Sequence, residues 1–156
     1  MEQRTKRLSA AAAIATALAI PAEGLRQFAY YDPPGILTVC YGHTGKDVEK
    51  GRKYSMDECR ALLDGDMMKA VSAVDKCQPG LPDNVLAAFS DAAYNLGPAI
   101  ACNTERSTAA RYLAAGMFQE ACDQLPRWNK ASVGGVMVPL PGLTKRRAKE
   151  RELCLA

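Results

Sequence analysis

Six cysteines spread along the chain restrict its fold more than any other feature of the sequence. They form no Cys-x-x-Cys pair, and one histidine, His43, is the only imidazole that could join them, so a zinc site is not expected. An even number of separated cysteines is instead typical of a chain with three disulfides in an oxidising compartment. Six cysteines allow fifteen pairings, and both the pairing and the alternative of reduced core thiols stay open at this point.

The charge balance argues against nucleic acid as a partner. The 156 residues have a formal net charge of +3, with 24% charged and 48% hydrophobic residues. A nucleic-acid-binding domain usually concentrates many more cations on one face. A weak positive surplus fits an anionic polymer such as a cell wall, or an ordinary solvated surface. The length and hydrophobic share suit one domain with a short extension.

Residues 8–22 form an uncharged, alanine-rich run behind a basic start. The run is shorter than the ~20 apolar residues that a membrane-spanning helix needs. It is interpreted in three ways: a cleaved signal peptide, a weak anchor that can leave the bilayer, or a buried helix of a cytosolic protein. The cysteines count against the third, and cleavage would leave Glu23, a candidate catalytic acid, at a frayed terminus. We therefore expect segment 1–22 to be retained, first as an anchor and later as the first helix, with Pro21 interrupting that helix.

The rest of the pattern predicts an α+β chain in which a small β lobe precedes a larger helical lobe. Residues 24–54 are rich in Gly, Pro, Tyr and Val without a helical period, which predicts a hairpin sheet. Ser55 and Glu58 form a capping box, so a helix should follow to about Lys76. The remaining predictions are helices over Asp83–Leu96, Ser107–Ala115 and Phe118–Leu125, an irregular loop over Val133–Gly142, and a last helix capped by Thr144 and ending near Cys154.

Two carboxylates and a hydroxyl lie close together in sequence where the first helix meets the β lobe. Hydrolysis of a glycosidic bond commonly uses two carboxylates, one to protonate the leaving oxygen and one to position water or attack. Glu23 ends the first helix and Asp32 opens a turn, held extended by the proline that follows it. The returning strand brings Thr38 toward the same place, where its hydroxyl can hold water. Taken alone, the two acids are more often ordinary surface carboxylates.

A longer string gives these residues a specific meaning. Glu23-Gly-Leu-Arg, followed by Tyr-x-Asp32-x-x-Gly-x-x-Thr38-x-x-x-Gly-His43, resembles the T-even-phage lysozyme family, glycoside hydrolase family 24. The resemblance implies a lysozyme-like fold with the active-site cleft between the lobes, and a catalytic domain over 23–156. It implies Glu23 as general acid, with Asp32 and Thr38 holding the hydrolytic water. Cys40 departs from the T-even pattern, which has glycine there.

The resemblance extends over nearly the whole chain. Ala88–Gly97 looks like the helix that lines the glycan cleft in this family. Cys122–Trp128 and Pro141–Arg147 look like the C-terminal part of lambdoid-phage endolysins. By that likeness Asn95 and Trp128 border the substrate, although helix capping and core packing explain them equally well.

The remaining predictions concern supporting residues and the disulfide pairing. By the likeness, Arg147 is expected to pair with Glu23, as a matching arginine does in the family. His43 is expected to be a buried, hydrogen-bonded structural residue rather than a catalyst. The predicted disulfides are Cys40–Cys59, which would link the sheet to the following helix, Cys122–Cys154, which would tie the last helix to its neighbour, and Cys77–Cys102 as the remaining pair.

Lambdoid endolysins often carry a weakly apolar signal-anchor-release segment, and Leu8–Ala22 resembles one. The resemblance implies a muramidase that cuts the β-1,4 bonds between N-acetylmuramic acid and N-acetylglucosamine and so lyses the host. Its partners would be the glycan strands of peptidoglycan and, before release, the inner membrane. We expect it to act in the periplasm as a monomer, without a metal or other cofactor and without nucleic acid.

Two other functions compete with hydrolysis. A lytic transglycosylase needs mainly one glutamate, so the predicted water site of Asp32 and Thr38 argues against it. A catalytically silent wall-binding or membrane-anchored protein has no need of the complete Glu/Asp/Thr string.

Overall fold

Seven α-helices and two small antiparallel sheets make up the fold, and the computed structural model describes all 156 residues. The helices are α1 (Glu2–Ala22), α2 (Met56–Cys77), α3 (Asp83–Leu96), α4 (Ala99–Cys102), α5 (Thr108–Ala114), α6 (Phe118–Gln124) and α7 (Pro141–Leu155). The strands β1 (Arg26–Tyr31), β2 (Leu37–Cys40) and β3 (His43–Thr44) form one sheet, and β4 (Lys130–Val133) and β5 (Val136–Pro139) form the other. The α+β arrangement predicted from the sequence is confirmed, with the β lobe inserted between α1 and α2.

Helix α3 is the centre of the helical lobe. Every residue from Val85 to Ala93 is buried, as expected for a helix that is surrounded on all sides by others. Its neighbours are α1, α2 and α7. Two polar side chains nevertheless lie inside it, Ser90, which donates to its own helix, and Asp91. A fully buried aspartate requires a cationic partner, and that requirement organises the site described below.

Helix α1 packs on α2 and α3 through small side chains. Its buried face consists of alanines and Thr16, in the pattern Ala11, Ala12, Ala15, Thr16, Ala19. Burying one alanine methyl contributes only ~0.8 kcal/mol, compared with ~1.5–3 kcal/mol for a leucine side chain. The apolar attachment of this helix is therefore weak for its length.

The expected interruption at Pro21 is wrong, because α1 continues to Ala22. Pro21 lies in the last turn and is exposed, and so is Ala17, whose carbonyl would otherwise accept a bond from residue 21. That carbonyl can bind water instead, so the proline costs little here.

No helix of the protein combines the length and the apolar character that crossing a membrane requires.

The β lobe is a three-stranded antiparallel meander, and the last residue of β2 has a positive φ. β2 pairs with β1 on one side and β3 on the other, both antiparallel. Cys40 at the end of β2 has φ +62°, a left-handed conformation that glycine adopts more readily than other residues. Its side chain is fully buried and bonded to Cys59 in α2. The disulfide therefore holds the strand end against the helical lobe in a backbone conformation suited to glycine.

All six cysteines are paired, in the combination that was predicted. The Cα atoms of the three pairs are 4.9, 5.5 and 5.7 Å apart, within the usual range for disulfides. They connect the sheet to α2, the end of α2 to α4, and α6 to α7. The bonds are Cys40–Cys59, Cys77–Cys102 and Cys122–Cys154.

Two expectations for the C-terminal part are wrong. Residues 133–142 are not an irregular loop, because β4 and β5 form a hairpin around Gly134 and Gly135, which both have positive φ. The last helix starts at Pro141 rather than after Thr144, since proline is well suited to a first helical turn. Thr144 is an internal residue of α7, and its hydroxyl accepts a hydrogen bond from the Asn129 side chain.

Removing the Cys122–Cys154 disulfide should lower the free energy of unfolding by about 3–4 kcal/mol, because the bond closes the longest loop of the three. The variant is the double substitution Cys122→Ala and Cys154→Ala, measured by urea unfolding. The control is Cys40→Ala with Cys59→Ala, which opens a loop with a sequence separation of 19 rather than 32 residues. An unchanged unfolding midpoint in the first variant would contradict the prediction.

Candidate active site

Glu23 leaves the end of α1 and meets an arginine from the opposite end of the chain. It caps α1 with extended backbone (ψ 140°), which directs it away from the helix axis. Its Oε1 accepts a hydrogen bond from Arg146 Nη1 at 2.5 Å, and no protein donor binds its Oε2. The side chain of Glu23 is 22% exposed whereas that of Arg146 is only 3% exposed. One oxygen of Glu23 is thus held by the protein and the other is available.

Arg146 is fixed from its other side by the buried aspartate of α3. Its Nε and Nη2 donate to the two oxygens of Asp91 at 2.9 and 2.8 Å, a bidentate pair. Burial opposes the charge of Arg146, but the hydrogen bonds and charges of Asp91 and Glu23 outweigh it and raise the pKa of Arg146. Arg146 is therefore a permanent cation that connects α7, α3 and the end of α1.

The expected pair between Arg147 and Glu23 is wrong, and Arg146 takes that place. Neighbouring residues on a helix point in directions about 100° apart, so only one of two adjacent arginines can face Glu23. Arg147 instead lies 2.7 Å from Glu150 and donates to Asn95 Oδ1 at 2.8 Å. Asn95, which was expected to border the substrate, therefore binds Arg147 through its amide oxygen. Asn95 itself is partly exposed.

Glu150 completes this buried cluster. Burial, followed by hydrogen bonding to Asp91 and its charge, raises the pKa of Glu150 to about 10, although both arginines act in the opposite direction. Glu150 also lies 2.7 Å from Arg147 Nε and 3.9 Å from Arg146 Nε, so carboxylates surround both buried guanidinium groups.

Asp32 and Thr38 converge on one residue at the tip of the β1–β2 hairpin. The Ile36 amide donates to Asp32 Oδ1 at 2.8 Å, and the Ile36 carbonyl accepts from the Asp32 amide at 3.0 Å. The same carbonyl accepts from the Thr38 hydroxyl at 2.9 Å. Thr38 is buried and Asp32 partly exposed. No hydrogen bond or ion pair joins either of them to Glu23.

The β lobe reaches Glu23 through a glycine. A Cβ on Gly42 would lie 3.7 Å from Glu23 Oε2 and 3.8 Å from the Tyr94 hydroxyl, so this residue is beside both groups. Its φ of +86° suits glycine. Tyr94 donates to the Tyr41 carbonyl at 2.5 Å, which connects α3 to the same turn. Burial, together with the charge of Glu23, raises the pKa of Tyr94, so it stays a donor.

A groove of about 330 Å³ opens beside Gly42 and Tyr94. Its walls come from the end of the β lobe, from α2 and from the end of α3. They combine one cation, one carboxylate and two hydroxyl side chains with small apolar residues: Gly42, Thr44, Asp66, Lys69, Ala70, Ala73, Ala93, Tyr94 and Pro98. Glu23 does not line the groove itself, but its Oε2 oxygen lies beside Gly42, which does.

His43 and Trp128 have different surroundings. The His43 ring lies between two carboxylates, with Nδ1 2.7 Å from Asp66 and Nε2 3.0 Å from Asp47. It is buried and hydrogen-bonded, as the structural role requires.

Trp128 packs against the core and lines a separate pocket of about 270 Å³. None of the residues that line this pocket contacts Glu23 or Arg146 through a hydrogen bond or an ion pair.

Several residues of the site were not singled out from the sequence. They are Asp91, Arg146 and Glu150 in the buried cluster, and Gly42 and Tyr94 beside it. One signal was present, because an aspartate within an otherwise apolar helix indicates a buried ion pair. Its partner cannot be named without knowing which face of α7 is turned inward.

Comparison with known proteins gives consistent results. The family model described as Phage lysozyme matches residues 21–150, which include Glu23, Asp32 and Thr38. The SAR-endolysin of Bacteriophage PS119 is 40% identical over 134 residues, 85% of this chain and 76% of that protein. The muramidase domain of SpmX from Asticaccaulis excentricus has a TM-score of 0.80 at 29% identity, covering 91% of this chain and 95% of that one.

One solved relative is known in two forms. The active form of the P1 phage endolysin Lyz has a TM-score of 0.75 at 28% identity, covering 91% of this chain and 83% of that one. The secreted inactive form has a TM-score of 0.52 at 27% identity, covering 71% and 75%. The fold described here is therefore more similar to the active arrangement than to the inactive one.

The surroundings of His43 predict a pH-dependent contribution to stability. Burial lowers its affinity for a proton, but hydrogen bonds to Asp66 and Asp47 outweigh this and raise the pKa of His43 above 6.5. The pKa of His43 is higher in the folded state than in the unfolded state. The contribution of the protonated ring to stability is therefore complete below pH 6.5, and it is lost as the pH rises through the folded-state pKa.

Because His43 is the only histidine, its ring protons can be followed directly by NMR titration. The stability difference between wild type and His43→Gln should narrow as the pH rises from 6.5 through the folded-state pKa of His43. Asp47 does not interfere, since its hydrogen bond to His43 lowers the pKa of Asp47 from 3.8. A measured value at or below 6.5 for His43 would refute the assignment.

Proposed function

This chain belongs to the phage lysozyme family, and from that membership we propose that it is an endolysin, a muramidase that lyses the host cell wall. Its substrate would be the β-1,4 bond between N-acetylmuramic acid and N-acetylglucosamine in peptidoglycan. The observation that carries the proposal is the state of Glu23, with Oε1 held by a buried arginine and Oε2 unbound beside Gly42, one of the residues that line a groove.

Glu23 would act as the general acid. Arg146 occupies Oε1, so the proton to be transferred belongs on Oε2, which faces Gly42. Transfer of that proton to the glycosidic oxygen breaks the bond to the anomeric carbon, which develops oxocarbenium-like charge. The rigid hold on one oxygen keeps the other in place as the sugar approaches.

Asp32 and Thr38 would hold the attacking water. The Thr38 hydroxyl already donates its proton to the Ile36 carbonyl, so its oxygen can only accept from water. The Asp32 oxygen that is not bound to the Ile36 amide can accept the other hydrogen. Both water hydrogens are then directed to the protein and a lone pair faces the anomeric carbon. As the new C–O bond forms, Asp32 receives the proton released by the water and later passes it to solvent, and Glu23 takes up a proton from solvent before the next cleavage.

Replacing Glu23 with Gln should reduce wall hydrolysis about 100-fold or more, because an amide cannot supply the proton. The rate is measured as clearing of purified peptidoglycan. Glu120→Gln is the matched control, since Glu120 is exposed and forms no ion pair, and it should retain full activity. Equal clearing by wild type and Glu23→Gln would mean that Glu23 is not the catalytic acid.

Mass spectrometry of the products separates hydrolysis from the competing transglycosylase reaction. Hydrolysis leaves reducing ends, whereas a transglycosylase leaves 1,6-anhydro sugars. The water site of Asp32 and Thr38 predicts reducing ends, and a predominance of anhydro ends would reject it. No clearing by the wild type at all would favour a silent wall-binding protein.

We also propose that segment 1–22 first tethers the enzyme to the inner membrane and then releases it into the periplasm, where it docks as α1. The SAR-endolysin relatives support this location. The alanine-rich composition supports a weak hold, because alanine adds little insertion energy. While the segment lies in the bilayer, Glu23 cannot reach Arg146, so the tethered enzyme would be inactive.

Adding leucines to the outer face of α1 should trap the protein in membranes. Ala10, Ala13 and Ala17 are exposed on the docked helix, so leucines there leave its packed face unchanged. Each leucine favours insertion by ~0.3–0.6 kcal/mol. The triple leucine variant should delay lysis and stay in the membrane fraction, while the triple glutamine variant at the same positions should be released early. Unchanged lysis timing in the leucine variant would refute the tether.

A further inference from the structure

A second buried aspartate, Asp75, lies outside the buried cluster of Arg146 and Asp91. Asp75 is in the last turn of α2, and its side chain is only 4% exposed. A carboxylate near the C-terminal end of a helix is opposed by the helix dipole. A buried charge in that position requires cations from elsewhere in the molecule.

Both cations that Asp75 binds come from the start of α1. Arg4 donates to Asp75 Oδ2 through Nε at 3.1 Å and Nη2 at 2.7 Å. Arg7, one turn later, lies 3.4 Å from Asp75 Oδ1. Arg7 also donates to Asp83, the first residue of α3, at 2.9 Å, and to the Leu81 carbonyl. These contacts, here called the α1 clamp, fasten the first turns of α1 to the junction of α2 and α3.

The α1 clamp and Glu23 lie at opposite ends of one helix. α1 has 21 residues, which corresponds to a length of about 30 Å. The buried side chains between the two ends are alanines and Thr16, whose hydroxyl has no partner, and only the partly buried Leu8 and Ile20 add larger apolar contacts with the core. The apolar contacts of the helix are therefore modest for its length, and Glu23 would move with the helix if it lifted away.

We propose that Arg4, Arg7 and Asp75 are positioning residues, which keep α1 docked and thereby set Glu23 against Arg146. This inference rests on the proposed role of Glu23 as the catalytic acid. Ion pairs are also a suitable way to dock a helix that we propose leaves a membrane first. Larger apolar side chains on the docking face would strengthen docking and membrane retention together, whereas ion pairs with Asp75 form only in the docked enzyme.

The test uses the purified full-length chain with its disulfides intact, so that membrane insertion has no influence. Arg4→Gln combined with Arg7→Gln leaves Asp75 buried without a cation. We expect the maximal rate of wall hydrolysis to fall at least about tenfold with an unchanged half-saturating wall concentration. Amide hydrogen exchange should speed up in α1 and stay as in wild type in α3.

Two further variants separate ion pairing from other effects. Lys6→Gln removes one positive charge from the same part of α1, but Lys6 pairs only with the exposed Glu2, so activity should stay within about twofold. Adding Asp75→Asn to the double arginine variant removes the unpaired buried charge and should recover part of the lost rate.

Three outcomes would overturn the α1 clamp. These are wild-type rate and exchange in the double arginine variant, an equal speeding of exchange in α3, or no recovery on adding Asp75→Asn. In each case an active wild type with an inactive Glu23→Gln would leave the proposed function standing. An inactive wild type would overturn both proposals.

Discussion

The structure depends on the ion pairs of Arg146, because one buried guanidinium joins three parts of the chain that are distant in sequence. It lies on α7, binds Asp91 of α3 with two nitrogens and binds Glu23 with the third. A buried cation is costly unless its geometry is good and its partners are complete. Displacing α1 or α7 would leave at least one of these charges unpaired. The position of Glu23 is therefore specified by charge pairing as much as by apolar packing.

The proposed site draws on both lobes. The helical lobe fixes Glu23, and in the proposed mechanism the β lobe that follows directly in sequence would supply Asp32 and Thr38. The turn after β2 returns to Glu23 through Gly42, and Tyr94 connects that turn to α3. The Cys40–Cys59 disulfide holds the end of β2 on α2. The two halves of the proposed machinery are thus joined by short contacts at one place rather than by a broad interface.

The sequence predicted those features that local chemistry determines. The capping box at Ser55 and the apolar run of α3 located two helices, and the spacing from Glu23 to Thr38 indicated the family. The choice between Arg146 and Arg147 depends on the rotation of α7 about its axis, which only packing fixes. The hairpin around Gly134 was missed although paired glycines at positive φ are typical of tight hairpin turns, because its strands are short and largely exposed.

The alanine-rich composition of α1 makes sense when packing and charge are considered together. A helix that carries the proposed catalytic acid needs rigid support, which large apolar side chains would ordinarily provide. Here the buried face offers mainly methyl groups, and the stronger contacts lie at its two ends, Arg4 and Arg7 at one and Glu23 at the other. Contacts at two ends about 30 Å apart fix the direction of a helix better than contacts near its middle. The ion pairs at the two ends of α1 therefore compensate for the weak apolar packing of its middle when the helix docks.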